Sequence, residues 1–244
     1  MSKRQDIREK RRRERIRNRI LIILMVVAGA VLIVFAMVVP GIQNIQNARA
    51  TATGAASSPV IVITPRVINA QVDGVHLGDP NAPVKVDVYE DFRCSACAYF
   101  STNIEPGIIT DYVETGIVYY TYHSYIVIDS YDNSTASHNS ALAAMCAADQ
   151  NLFWGYHETL FANQVTEDAA LYSDARLVQM AQSANLDMAA FNQCFEDKTF
   201  EILVQQDIAQ GQSLGISGTP SIFVNGVLTN MNDLNAAIDA AAGQ

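Results

Sequence analysis

Two cysteines separated by two residues, Cys94-Ser95-Ala96-Cys97, stand where the hydrophobic period of the chain changes. Before them, residues 84–89 alternate apolar and polar side chains and read as a strand. After them, residues 98–104 read as a helix. A strand that hands over to a helix at the first sulfur puts unpaired backbone N–H groups and the positive end of the helix dipole beside it. That setting lowers a thiol pKa, so Cys94 is expected to be the exchanging sulfur. Cys97, one turn inside the helix, is expected to be the shielded resolving thiol. The spacing alone also suits metal sites and plain disulfides, so the rest of the chain has to decide.

Charge divides the 244 residues into two opposed regions. The first 19 hold ten Lys/Arg against three Asp/Glu, whereas the remainder holds six basic and 22 acidic residues. An acidic body lacks the basic footprint that nucleic-acid binding requires. Next to the basic head, residues 20–39 carry no charge. Twenty helical residues span roughly 30 Å, the thickness of a bilayer's hydrocarbon core. The head therefore reads as a cytoplasmic topology determinant attracted to anionic membrane lipid, and residues 20–39 as a single transmembrane anchor. A cleaved secretory signal ending near Ala48-Arg49-Ala50 is the rival, but its apolar region would be shorter. Either way the body is exported to where thiols stay oxidised. All four cysteines (Cys94, Cys97, Cys146, Cys194) lie in that body, and four permit three connectivities.

Residues 40–70, rich in Ala, Thr, Ser and Asn, read as a linker, with a short strand possible at 60–63. Gly78-Asp79-Pro80 leads into the first central strand. Pro106-Gly107 should interrupt the helix that follows the dithiol. Residues 117–128 read as one long second strand, parallel to the first. From about 134 to 214 the apolar residues recur at helical spacing, with Phe153, Trp154, Tyr156, Leu160 and Phe161 as core. Gly218-Thr219-Pro220 ends that block. Asn225-Gly226 between two apolar runs signals a hairpin, and a last helix begins near Asp233.

In this order the motifs resemble the DsbA-like thiol–disulfide oxidoreductases, notably the membrane-anchored bacterial ones. Gly78-Asp79-Pro80, Glu90 to Cys97, Cys146 to Gln150 with Phe153-Trp154, and Gly215 to Gly226 carry the likeness. It implies an α/β thioredoxin fold with an inserted helical domain over residues 71–244, preceded here by the transmembrane helix. It also implies that Pro220 is cis and lies against the dithiol, with Thr219 offering backbone hydrogen bonds to an extended substrate segment. Cys146 and Cys194 would form a structural disulfide within the insert; two buried free thiols are the alternative.

Two departures qualify the likeness. Ser95 and Ala96 replace the Pro and His common between the cysteines, which implies a less extreme thiolate and a less oxidising disulfide. The buried acid usual six residues before the first cysteine is Val88 here, and Glu90 is the candidate substitute as a proton relay to Cys97; a solvated carboxylate at the strand end is the alternative. The implied activity is oxidation of cysteines in exported proteins by exchange at Cys94–Cys97. The implied reoxidant is a quinone-linked membrane partner of the DsbB or vitamin K epoxide reductase type. No cofactor is expected, and no metal, since His76, His123, His138 and His157 lack ligand spacing with any cysteine. A reductase or isomerase on the same fold, or a tethered metal- or peptide-binding protein, are the competing readings.

Overall fold

The computed structural model describes residues 59–243. The basic head, the apolar run at 20–39 and the linker as far as residue 58 lie outside the described residues. Among the described residues no helix is long and apolar enough to cross a membrane.

The sheet begins with two very short strands, β1 (Val72–Asp73) and β2 (His76–Leu77), each too brief to display a period. Gly78 then turns the chain at φ 92°, and a side chain there would strike the Val118 carbonyl at 2.6 Å, so only glycine fits. The central strand β3 (Val84–Glu90) leads to α1 (Ser95–Asn103), with Cys94 as its N-cap. Helix α1 stops at Ile104. The chain restarts as α2 (Glu105–Ile108) with Pro106 in the first turn, where a missing N–H is harmless. A π-helical turn, Ile109–Val113, leads on to β4 (Val118–Ser124).

Strand β4 ends four residues before the expected boundary at 128. The N–H groups of Val127 and Ile128 donate to the Asp91 carboxylate at 2.8 and 2.9 Å instead of to a neighbouring strand. The chain then enters α3 (Asp129–Asp132). The helical block continues through α4 (Ala136–Ala148), α5 (Phe153–Ala162), α6 (Asp174–Ser183), α7 (Met188–Glu196) and α8 (Glu201–Ser213). Strands β5 (Ser221–Val224) and β6 (Val227–Thr229) follow, and α9 (Leu234–Ala242) closes the chain. Asn225 and Gly226 both have positive φ, 48° and 79°, the conformation a tight two-residue hairpin demands.

Among the described residues the strands form one sheet in the order β1-β2-β4-β3-β5-β6. Strand β3 pairs parallel with β4 and antiparallel with β5. Covered on both faces near its end, β3 buries Val88, Tyr89 and Glu90 in succession.

Residues 60–63, within the expected linker, form no strand. The Ile61 N–H donates to the Asn163 side chain at 2.8 Å, Asn163 Nδ2 donates back to the Ile61 carbonyl at 3.0 Å, and Arg66 pairs with Glu158. Side-chain partners supplied by α5 and the residue after it replace the strand neighbour that this segment lacks.

Candidate active site

The dithiol sits where β3 gives way to α1, in a loop held from two sides. The Asp91 carboxylate accepts the Arg93 N–H at 2.9 Å with one oxygen and the Val127 and Ile128 N–H groups with the other. Arg93 is almost fully buried. Its guanidinium meets Asp129 at 2.8 Å and Asp132 at 2.5 Å, and donates to the Ser134 hydroxyl and the Glu167 carbonyl. The loop carrying the cysteines is thereby fastened to α3 and to the segment after α5.

Cys94 and Cys97 are free thiols. Cys94, 8 % exposed, places its sulfur 3.3 Å from the Thr219 carbonyl oxygen, and the Thr219–Pro220 bond is cis. Its pKa is lowered to about 6. Hydrogen bonding from the Cys97 thiol contributes most, burial opposes it, and the Thr219 side chain and the N–H groups of Cys97 and Ala96 add to it. The Thr219 hydroxyl is buried without a hydrogen-bond partner among the described residues, and the Thr219 side chain favours the Cys94 thiolate. Cys97 is fully buried. Desolvation, its bond to Cys94 and the charge of Glu90 push its thiol well above the ordinary range. One sulfur ionises readily, and the other holds its proton.

Glu90 is 1 % exposed, so it is no solvated strand-end carboxylate. Burial and the Cys94 charge raise its pKa well above the usual carboxylate range. Its Oε2 lies 3.1 Å from His157 Nε2, and its Oε1 has no partner among the described residues. His157 is fully buried among the rings of Phe92, Tyr122, Phe153, Trp154 and Phe161, at centroid distances from 4.9 to 5.7 Å. Beyond it is Glu105, also buried, which accepts from the Tyr120 hydroxyl at 2.9 Å and the Ser101 hydroxyl at 3.2 Å. Glu90, Glu105 and His157 bring one potential metal-ligand atom each to within 4.8 Å of one another. Searching for histidines spaced with cysteines misses this cluster, because the partners of His157 are carboxylates. Its burial was legible: His157 lies four residues from both Phe153 and Phe161, on the same helical face.

Cys146 on α4 and Cys194 on α7 are joined by a disulfide, with their Cα atoms 5.9 Å apart. The bond lies within the helical block and takes no part in the dithiol site.

A low-pKa sulfur at a helix N-terminus, a buried partner thiol and the carbonyl of the residue before a cis-proline, on one thioredoxin-type sheet, define a thiol–disulfide oxidoreductase of the DsbA-like kind. Comparison with known proteins agrees. A family model described as Thioredoxin matches residues 70–240, and the chain belongs to that family. Disulfide bond formation protein D of Bacillus subtilis is 28% identical over 161 residues, covering 64% of this chain and 70% of its own. A probable disulfide bond formation protein D of Bacillus anthracis is 28% identical over 169 residues, 67% of this chain and 76% of its own. Among solved structures, oxidised BdbD from Bacillus subtilis aligns with a TM-score of 0.63 at 24% identity, covering 77% of this chain and 100% of that one. Oxidised Mtb DsbA aligns with a TM-score of 0.56 at 25% identity, covering 70% and 94%.

Proposed function

We propose that this protein oxidises cysteines of exported proteins on the outer side of a cytoplasmic membrane. The observation that carries the reading is the 3.3 Å approach of the Cys94 sulfur to the Thr219 carbonyl. An extended substrate segment that hydrogen-bonds to the Thr219 backbone next to Pro220 would bring its own cysteine to Cys94.

The chemistry is two exchanges. A substrate thiolate attacks Cys94 of the Cys94–Cys97 disulfide, forming a mixed disulfide and releasing Cys97 as a thiolate. Cys97 takes a proton, and Glu90 is its donor. A second substrate thiolate then attacks the substrate sulfur and releases Cys94 as a thiolate. The substrate leaves oxidised by two electrons and this protein is left as a dithiol. A low Cys94 pKa favours that direction, since stabilising the reduced form makes the disulfide the stronger oxidant. Reoxidation falls to a membrane partner that passes the electron pair to a quinone. In this reading residues 1–19 stay in the cytoplasm, 20–39 anchor the chain next to that partner, and the linker from residue 40 joins the anchor to the catalytic domain. The names of the Bacillus relatives support the assignment to disulfide formation.

The test is to trap the dithiol in cells by acid and alkylation and to assay Cys94→Ser on a reduced exported protein. The expected result is a mainly oxidised Cys94–Cys97 pair and an inactive variant. A mainly reduced pair would assign the protein to the reductase direction, and full activity of Cys94→Ser would end the exchange mechanism.

A further inference from the structure

Glu105 is a buried carboxyl connected to Glu90, beside the dithiol. The connection runs through His157, whose Nε2 lies 3.1 Å from Glu90 Oε2 and whose Nδ1 lies 3.9 Å from Glu105 Oε2. All three side chains are 1 % exposed or less. The two carboxyls are not equivalent. Glu90 Oε1 has no hydrogen-bond partner among the described residues, whereas both Glu105 oxygens accept from hydroxyls. A negative charge in this core is therefore better held on Glu105 than on Glu90. His157 Nδ1 is also without a hydrogen-bond partner among the described residues, and Glu105 Oε2 lies 3.9 Å from it.

We propose that Glu90, His157 and Glu105 form a buried proton relay that resupplies Glu90 when it protonates the departing Cys97. The inference rests on the reading above that Glu90 is the acid for Cys97. In the disulfide form both carboxyls are protonated and the imidazole is neutral with its hydrogen on Nε2. When a thiolate breaks the Cys94–Cys97 bond, the proton on Glu90 Oε1 passes to the Cys97 sulfur. The Nε2 hydrogen moves to Glu90 Oε2, and Nδ1 takes the proton of Glu105. Cys97 gains one proton and Glu105 loses one. The negative charge that arrived with the thiolate ends on a carboxylate held by Tyr120 and Ser101. Reoxidation runs the steps backwards.

The groups around His157 are compatible with this. Glu90 comes from β3, Glu105 from α2 with the Tyr120 hydroxyl of β4 bonded to it, the Tyr122 ring from β4, Glu158 from α5 itself and Arg66 from the N-terminal segment. Burial lowers the His157 pKa and raises those of both carboxyls, which favours the neutral form of all three groups.

The chain's one tryptophan, Trp154, packs 5.4 Å from His157 and supplies the signal. Reduction of the full-length disulfide form by excess dithiothreitol is followed by Trp154 fluorescence across pH. The variants are Glu105→Gln, which keeps the size and one of the two acceptor oxygens, and Glu90→Gln. Proton relays contribute on the order of 10²-fold or more to such steps. Glu105→Gln is expected to slow cleavage by roughly tenfold or more and to alter its pH profile, with the Cys94 thiolate titration unmoved. Should Glu105→Gln fail to fold, Tyr120→Phe and Ser101→Ala each remove one hydroxyl from Glu105 and are expected to slow cleavage separately. A wild-type rate and profile in Glu105→Gln, with Glu90→Gln slowed, would end the relay at Glu90 and overturn the proposal while leaving the exchange mechanism intact. Stoichiometric zinc bound by the wild-type protein and lost in Glu105→Gln would also overturn it, as a metal site. A disulfide that dithiothreitol cannot reduce in any variant would instead count against the exchange mechanism itself.

Discussion

The sulfur of Cys94 lies 3.3 Å from the carbonyl oxygen of Thr219, a residue 125 positions further along the chain. Helix α1, the Cys97 thiol and the Thr219 side chain converge on that sulfur and hold its pKa near 6. A thiol whose folded pKa is depressed stabilises the dithiol form at pH above its unfolded value, and the contribution is lost as pH falls through 6. The disulfide form has no such contribution. The stability of the dithiol form relative to the disulfide form should therefore rise between pH 6 and 9. Denaturant unfolding of both forms across that range measures it. A difference that stays flat would show that Cys94 is an ordinary thiol.

Thr219→Val separates the side chain from the backbone at the same position. The carbonyl near Cys94 remains, but the hydroxyl that answers the thiolate is gone. A hydrogen bond to a charged group contributes about 1.5–3 kcal/mol, so the Cys94 pKa should rise by roughly one unit. Ultraviolet titration of the thiolate reads the shift directly. An unmoved titration would assign the low pKa to α1 and Cys97 alone.

Arg93 provides the third prediction. Its guanidinium is nearly water-free and is shared by Asp129, Asp132, Ser134 and the Glu167 carbonyl. Arg93→Met keeps much of the volume but leaves Asp129, 11 % exposed, without its cation. Breaking a buried pair from one side costs about 3–5 kcal/mol; the partial exposure of Asp132 brings the expected loss to the lower end. Chemical denaturation should show it, together with slower exchange at Cys94, because the loop that presents the sulfur loses its tie to α3. Wild-type stability in the variant would mean that Asp91 anchors the loop alone.

The parts of this site that could be read from the sequence are those encoded in local patterns. The Cys94-x-x-Cys97 junction, the turn residues Asn225-Gly226 and the helical period of the insert each declare themselves over a few residues. Contacts made by single charged groups across long separations leave no such pattern. Glu90 and His157 are 67 residues apart, and nothing around either names the other. Arg93 and its partners Asp129 and Asp132 are likewise 36 and 39 residues apart. The second strand was read too long because residues 125–128 have every β-forming preference. Only the fold reveals that the Asp91 carboxylate takes the N–H groups of Val127 and Ile128 from the ladder.

His123 gives a prediction of the opposite sign. It sits on β4, stacked on Tyr89 at 4.5 Å, between Asp207 of α8 and Asp87 of β3 at 3.0 and 3.2 Å. Burial alone would lower its pKa, but hydrogen bonds and charge from Asp207 and Asp87 outweigh it and raise the value to about 9. A histidine raised in the folded state contributes stability that is complete below its unfolded value of 6.5 and is lost as pH rises through 9. Asp207 also accepts the Ser124 N–H at 3.0 Å, so the ion pair and the docking of α8 on the edge of the site are one unit. His123→Gln retains hydrogen bonding without the charge. It should cost about 1–3 kcal/mol at pH 6 and progressively less toward pH 10, where the wild-type imidazole is itself neutral. Unfolding curves of the two proteins at a series of pH values test this, and a cost independent of pH would mean that His123 acts through its ring packing and not through its charge.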